Sequence, residues 1–296
     1  MTGALASAIV AGTGALWGLY WLPVRGLADL GLPGAWGTLA ITLCAVALLA
    51  PVALVRRSLA GADRVALVAV ALGGGAFALY SVAFLYGRVA LVILLWFLTP
   101  VWSTLIARVL LGWAVPPLRL AAIAVGLAGL GAMLGAGGGP PVPRDAGEWM
   151  GLAGGVIWAI STTGIRTRPE VPPAGAALVF ALGAAVTAAA LAPFLEPVPR
   201  AGGVALWPAL GLALATASLF WVVSTAALIW AAARLEPARV GILLMTEVAV
   251  GAASAAWLDG ERLAPFELAG GALVLAAGVL ELWPPGRMGR RRPRSG

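Results

Sequence analysis

The sequence predicts an all-α integral membrane protein of ten transmembrane helices, arranged as two inverted five-helix repeats, and three observations carry that prediction. The 296 residues are 61% hydrophobic and 10% charged, where a soluble domain carries about 25% charged residues. Nineteen bases and twelve acids cannot coat a water-facing surface of this size. The apolar residues also fall in runs long enough to cross a hydrocarbon core of about 30 Å as helices of about 20 residues. Finally, features of the first half recur in the second at a nearly fixed offset, on either side of a polar linker.

Taken in order, the expected spans are 4–22, 33–55, 65–86, 89–111, 118–136, 149–166, 174–194, 206–231, 238–258 and 265–283, with Pro, Gly and Arg punctuating the short connections. No basic segment precedes the first run, and many similar runs follow it, so it is expected to be a first span and not a cleaved signal. The longest polar interruption separates five spans from five. It sets a first repeat at 1–137, a linker at 138–148, a second repeat at 149–285 and a basic tail at 286–296.

Gly14-Ala-Leu-Trp17 and Arg25 recur as Gly155-Val-Ile-Trp158 and Arg166, with both Trp and Arg offset by 141 positions. Leu98-Thr99-Pro100-Val101 matches Met245-Thr246-Glu247-Val248 at an offset of 147, and Pro117 matches Pro265 at 148. An odd number of spans per half makes the second half enter the membrane from the opposite side, which is a transporter architecture. Alternate loops hold fourteen arginines on one side, the five of the tail included, and five on the other: Arg25, Arg88, Arg144, Arg200 and Arg262. Both termini are therefore expected in the cytoplasm.

Composition excludes several chemistries. All nineteen bases are arginine, there is no histidine, and Cys44 is the single cysteine, so neither an internal disulfide nor a Cys/His zinc site can form. The net charge of +7 reads as a topology signal, with no nucleic-acid partner expected. Gly137 to Gly139 lack the Gly-Lys-Ser/Thr ending of a phosphate loop. No cofactor and no metal are expected. Without histidine or paired intramembrane carboxylates there is no catalytic constellation.

Ala15-Leu-Trp-Gly18, Trp96-Phe-Leu-Thr-Pro-Val-Trp102 running into Leu111-Gly112, the Gly-rich fifth span and Ala256-Trp-Leu-Asp-Gly-Glu261 together resemble the EamA-type transporters of the drug/metabolite transporter superfamily, over nearly the whole chain. The resemblance implies two five-helix repeats, residence in a bacterial plasma membrane and export of amino acids or other small metabolites. The family usually has a proline in span 9 where this sequence has Glu247.

Glu247 is the focus of the expected site. An acid at the centre of a span costs at least about 2.5 kcal/mol on insertion scales, so it either faces a water-filled cavity, carrying a proton or meeting a cationic substrate group, or fixes helix packing as a protonated or arginine-paired side chain. Gly251 and Ser254 share its helix face. Trp96, Thr99, Pro100 and Ser103 share a face of span 4, where Pro100 frees a carbonyl and kinks the helix. Phe77, Tyr80 and Phe84 form an aromatic face in span 3; Trp17, Tyr20 and Trp21 in span 1; and Trp221, with Ser218 and Thr225, in span 8. Trp158, Ser161 and Thr162 place hydroxyls in span 6 where span 1 has rings.

The expected substrate-binding set is therefore Trp17, Tyr20, Tyr80, Trp96, Thr99, Ser103, Trp158, Ser161, Trp221, Thr225 and Glu247, with Glu247 also coupling. The small-residue faces of span 5 (Gly126, Gly129, Gly131 and Gly135) and of span 10 (Gly270, Gly271 and Gly278) are expected to pack helices. Tyr86, Trp113, Trp149, Trp207 and Trp283 read as interface residues. Arg88, in a very short turn, is the outward arginine to test as a carboxylate partner.

These features predict a secondary transporter of small metabolites in the lipid bilayer, with protons as a possible coupling ion. Proton-coupled efflux of hydrophobic cations and a non-transporting structural subunit are the alternatives. Substrate, direction and oligomeric state are not written in the sequence.

Overall fold

The structure, a computed structural model, describes residues 2–112 and 116–282. The basic tail, Trp113 and Trp283 lie outside the described residues. Fourteen α-helices make up the described chain, and no strand occurs among the described residues. They are α1 (Thr2–Gly18), α2 (Trp21–Asp29), α3 (Ala35–Val55), α4 (Arg64–Tyr86), α5 (Val89–Trp96), α6 (Thr99–Leu111), α7 (Pro117–Gly135), α8 (Ala146–Arg166), α9 (Pro173–Leu195), α10 (Leu206–Thr216), α11 (Ser224–Ala232), α12 (Pro237–Leu244), α13 (Thr246–Leu258) and α14 (Pro265–Leu282). A π-helix, Ala217–Val223, joins α10 to α11.

Local chemistry explains many of the boundaries. Helices α7, α9, α12 and α14 each begin on a proline, whose missing N–H falls where no helical bond is needed. Asp63 caps α4 by accepting from the Ala66 amide at 2.8 Å, and Asp145 caps α8 through the Glu148 amide at 2.7 Å. Gly112 and Gly260, just past α6 and α13, adopt the left-handed conformation that favours glycine at a helix end, with φ of +64° and +69°.

Eight helical stretches, among them Gly3–Asp29, Arg64–Tyr86, Val89–Val109 and Leu206–Ala232, are long and apolar enough to cross a membrane. A shorter apolar stretch covers Pro265–Leu280. Helix α8, with Glu148 in its first turn, Arg166 at its end and Gly, Ser, Thr and Trp between, is not among the eight. Large apolar side chains point away from the core along the helices: Val55, Phe194 and Trp257 are 86%, 87% and 85% exposed. Side chains of that size and exposure need lipid as their solvent. The chain is an all-α, multi-pass membrane protein.

The first long stretch runs further than the sequence suggests, to Asp29 instead of 22, so Arg25 sits inside α2. Apolar periodicity ends near Leu22, but Pro23 falls at the third position of α2, where a missing N–H is tolerated, and the helix continues.

Helix α4 sits at the centre, packed on α8 and α9, while α14 packs on α7, α3 on α9 and α1 on α13. Glycines let the backbones meet. A Cβ at Gly74 would collide with the Phe180 carbonyl of α9, and one at Gly183 with the Ala71 carbonyl of α4. Across α7 and α14, Gly129 and Gly270 each lie against the other's carbonyl, at 2.7 and 2.6 Å from where a Cβ would stand. Because the Gly74 obstacle is rigid backbone, Gly74→Ala is expected to destabilise the fold by about 1–3 kcal/mol, as overpacking does. A lowered thermal midpoint in detergent would register it, whereas an unchanged midpoint would mean that α4 and α9 do not approach this closely.

Candidate functional site

Three helix irregularities position the central side chains. The stretch formed by α5 and α6 breaks at Phe97–Leu98, and Pro100 stands in the first turn of α6. At the break the Thr99 hydroxyl donates to the Trp96 carbonyl at 2.6 Å. The stretch formed by α12 and α13 breaks at Met245, where the Thr246 hydroxyl bonds to the Leu243 carbonyl and, across the helix contact, to the Ala11 carbonyl, both at 2.8 Å. Each threonine thus satisfies a carbonyl at its break. The third irregularity is the π-helix carrying Trp221; such segments occur frequently at functional sites.

Glu247 lies two residues beyond the Met245 break and is 5% exposed. Its Oε1 accepts a hydrogen bond from the Tyr80 hydroxyl at 2.8 Å. No arginine lies within ion-pair distance of it among the described residues. The arginine-paired form of the packing explanation therefore has no partner here.

Aromatic rings surround this pair. Tyr80 stacks on Trp96 with centroids 4.6 Å apart and meets Phe84 edge-on at 4.7 Å. Trp96 touches Trp158 at 5.3 Å, and Trp158 meets Phe180 at 5.8 Å. Phe180 continues to Trp221 at 5.6 Å, and Phe77 contacts Tyr20, Tyr80, Trp96, Phe180 and Trp221. The Trp221 indole N–H donates to the Tyr20 hydroxyl at 3.4 Å. Residues from α4, α5, α8, α9 and the π-helix, with Tyr20 from the junction of α1 and α2, therefore meet in one continuous ring cluster.

Tyr20, Tyr80, Trp96, Trp158, Trp221 and Glu247 of the expected set are brought together. The remainder take other positions. Trp17 donates its indole N–H to Ser224 at 3.0 Å. Ser161 donates to the Ala69 carbonyl at 2.7 Å and so joins α8 to α4. Thr99 serves the helix break. Ser103 and Thr225 are partly exposed and make no hydrogen bond among the described residues. Their assignment assumed continuous α-helices, but the break follows Trp96 directly, and the π-helix shifts register just before Thr225. That shift puts Ser224 opposite Trp17.

Sequence reasoning gave no part to Phe180, which bridges Trp158 and Trp221. Its signal was available: it is the one ring in the middle of the Ala- and Gly-rich α9. Removing only the hydroxyl, as in Tyr80→Phe, leaves the buried Glu247 without its donor. A loss of about 1–3 kcal/mol is expected from an unsatisfied buried group, and a denaturation midpoint equal to the parent's would count against the pairing.

Cavities of about 270 and 240 Å³ lie elsewhere, the first lined by Ala90, Ala252, Ala256, Glu261 and Leu263 and the second by residues of α3 and α10. Neither is lined by Glu247 or by a ring of the cluster.

At one end of the bundle, several connections are tied together. The Arg25 guanidinium pairs with Asp259 and, at 3.6 Å, with Glu261, and its Nε donates to the Phe84 carbonyl at 2.9 Å. Arg88 forms a two-pronged pair with Glu267 and also reaches the Arg262 carbonyl. The hydrogen bonds it donates to Glu267 hold the Arg88 guanidinium above its ordinary pKa. Glu261 accepts from the Val89 and Ala90 amides at the start of α5. Arg88 thus already holds a protein carboxylate.

No family model matches the chain, and no curated protein matches it. Fourteen solved chains do. One of them, described as "Crystal structure of protein", is 20% identical, with the match covering 93% of this chain and 95% of that one at a TM-score of 0.57, a likeness of fold alone.

Proposed function

We propose that the chain is a secondary transporter that moves small metabolites by alternating access, with its substrate site in the aromatic cluster around Glu247. The observation that carries this reading is the buried Glu247–Tyr80 pair, set beside two helix breaks and walled by rings. An acid kept in the membrane interior without a cation is costly and marks a pathway or site by default. Broken helices at the interface of two repeats are the usual setting of such sites.

In this reading the fourteen helices make ten crossings: α1–α2, α3, α4, α5–α6, α7, α8, α9, α10–α11, α12–α13 and α14. Their packing supports two related halves, 1–137 and 149–285, because the pairs exchange under a two-fold operation. Helix α1 packs on α13 and α8 on α6; α1 packs on α11 and α8 on α4; α3 meets α9, and α7 meets α14. The paired Thr99 and Thr246 breaks and the paired Gly112 and Gly260 caps add to that support. With the arginine bias, the termini lie in the cytoplasm of a bacterial cell and the carrier in its plasma membrane. Those features also suit the EamA-type family that the sequence resembles, and export of amino acids or related compounds follows from that resemblance.

Substrate in this site is expected to carry a cationic nitrogen for Glu247 and an apolar or aromatic body for the rings. A second reading, proton-coupled efflux of hydrophobic cations, is favoured by the absence of any ion-pair partner for Glu247 among the described residues. Counterflow uptake by the purified protein in proteoliposomes separates the two, using neutral, aromatic and cationic amino acids beside hydrophobic cations. Uptake of an amino acid supports the first, uptake of cations alone supports the second, and no exchange by folded protein of any compound sinks both.

A further inference from the structure

We infer that the ion pairs at the end of the bundle opposite the N-terminus form a latch between the two halves, which must release for that face to open to the substrate site. The inference deepens the alternating-access reading and rests on it for its purpose, but its evidence is separate. Three ion pairs lie at this end, and each joins an arginine of the first half to an acid of the second: Arg25 to Asp259 and Glu261, and Arg88 to Glu267. Two of the acids are set deeply, with the Glu261 and Glu267 side chains 7% and 6% exposed, while Asp259 is 42% exposed. Neither carboxylate is held by charge alone. Glu261 also closes the N-terminus of α5, and Glu267 accepts from the Ala264 amide at 2.7 Å.

The latch ties the moving parts that the site uses. Arg25 belongs to the same stretch as Tyr20 and Trp21; Asp259 and Glu261 follow α13, which carries Glu247; and Arg88 sits in the turn between α4, which carries Tyr80, and α5, which carries Trp96. Below it on α13, Ser254 accepts the Trp21 indole N–H at 3.0 Å. Ser254 stands two turns from Glu247 on the same face, between the latch and the site. The path from this face to Glu247 is therefore closed first by the ion pairs and then by the Trp21–Ser254 contact.

The Arg25 pairing is not repeated at its counterpart in the second half. Arg166 is the repeat counterpart of Arg25, yet it is exposed and has no ion-pair partner among the described residues. The position matching Glu261 at an offset of 148 is Trp113, which is not an acid.

The test places a reporter thiol below the latch, Ser254→Cys in a Cys44→Ser background, and measures its alkylation by a membrane-impermeant reagent in right-side-out and inverted vesicles. Glu267→Gln keeps an acceptor for the Ala264 amide while removing the charge, and Arg88→Ala removes the other partner. In either variant alkylation from the latched face is expected to rise about tenfold, within the range of ordinary conformational coupling, with the rate from the N-terminal face unchanged or lowered. Equal rates in parent and variants, or a rise from both faces alike, would overturn the latch. Should a variant not fold, the reporter protein with its latch intact is alkylated at low and high ionic strength: screening is expected to raise the rate from the latched face, and an unchanged rate would overturn the inference. Because the readout is accessibility, a failed latch is distinguishable from a failed transport reading, which counterflow alone decides.

Discussion

Glu247→Gln is expected to leave a folded protein whose uptake of its cationic substrate falls about ten- to hundredfold. The amide keeps the shape of the side chain and can still accept from Tyr80, so packing around it changes little. What is lost is the charge: a hydrogen bond to a charged group is worth about 1.5–3 kcal/mol, which corresponds to about one or two powers of ten in affinity. If Glu247 also carries the coupling proton, the variant loses stimulation by a pH gradient while retaining residual exchange of preloaded substrate. Initial rates in proteoliposomes with and without the gradient measure both effects. A variant as active and as responsive as the parent would reduce Glu247 to a packing residue.

Trp96→Ala carries the second large effect. Its ring is the joint of the aromatic wall, stacked on Tyr80, in contact with Trp158 and Phe77, and laid against Gly154. Truncating a large aromatic side chain in such a place costs about 3–5 kcal/mol, and here it also frees Tyr80 to move away from Glu247. Loss of stability together with loss of substrate affinity is expected, while Trp96→Phe recovers most of the stability. Thermal midpoints and saturation of uptake measure the two. If Trp96→Ala transports with unchanged affinity, the rings are structural filling and not a binding wall.

Much of this was legible in the sequence because it rests on composition and periodicity. Apolar runs located the helices, since a run of that length has no other stable solvent than lipid. Glu247 stood out because it is the one acid in its span, and Tyr80, Trp96, Trp158 and Trp221 stood out because large rings are sparse in Ala- and Gly-rich helices. What failed was register. Pro100 signalled a kink after Trp96 but not the register beyond it, and no local residue type signalled the π-helix before Thr225, so Ser103 and Thr225 were assigned faces that continuous helices would have given them. Pairings between distant segments were equally hidden: Arg25 read as a span-end residue, and only the fold brings it to Asp259, 234 positions away. Ser161 read as a cavity hydroxyl, but the nearest acceptor proved to be the Ala69 carbonyl of the central helix.

The most direct measurement of the central claim is the indole fluorescence of the purified protein as a compound that exchanges in counterflow is added, in the parent and in Glu247→Gln. Trp96, Trp158 and Trp221 lie in one cluster with the Glu247–Tyr80 pair, so occupancy there is predicted to give a saturable change in the parent that needs about ten- to hundredfold more compound in the variant, the loss of one charged hydrogen bond. A transported compound that binds both proteins alike, or leaves the fluorescence of this cluster untouched, would place the substrate site elsewhere and contradict the account.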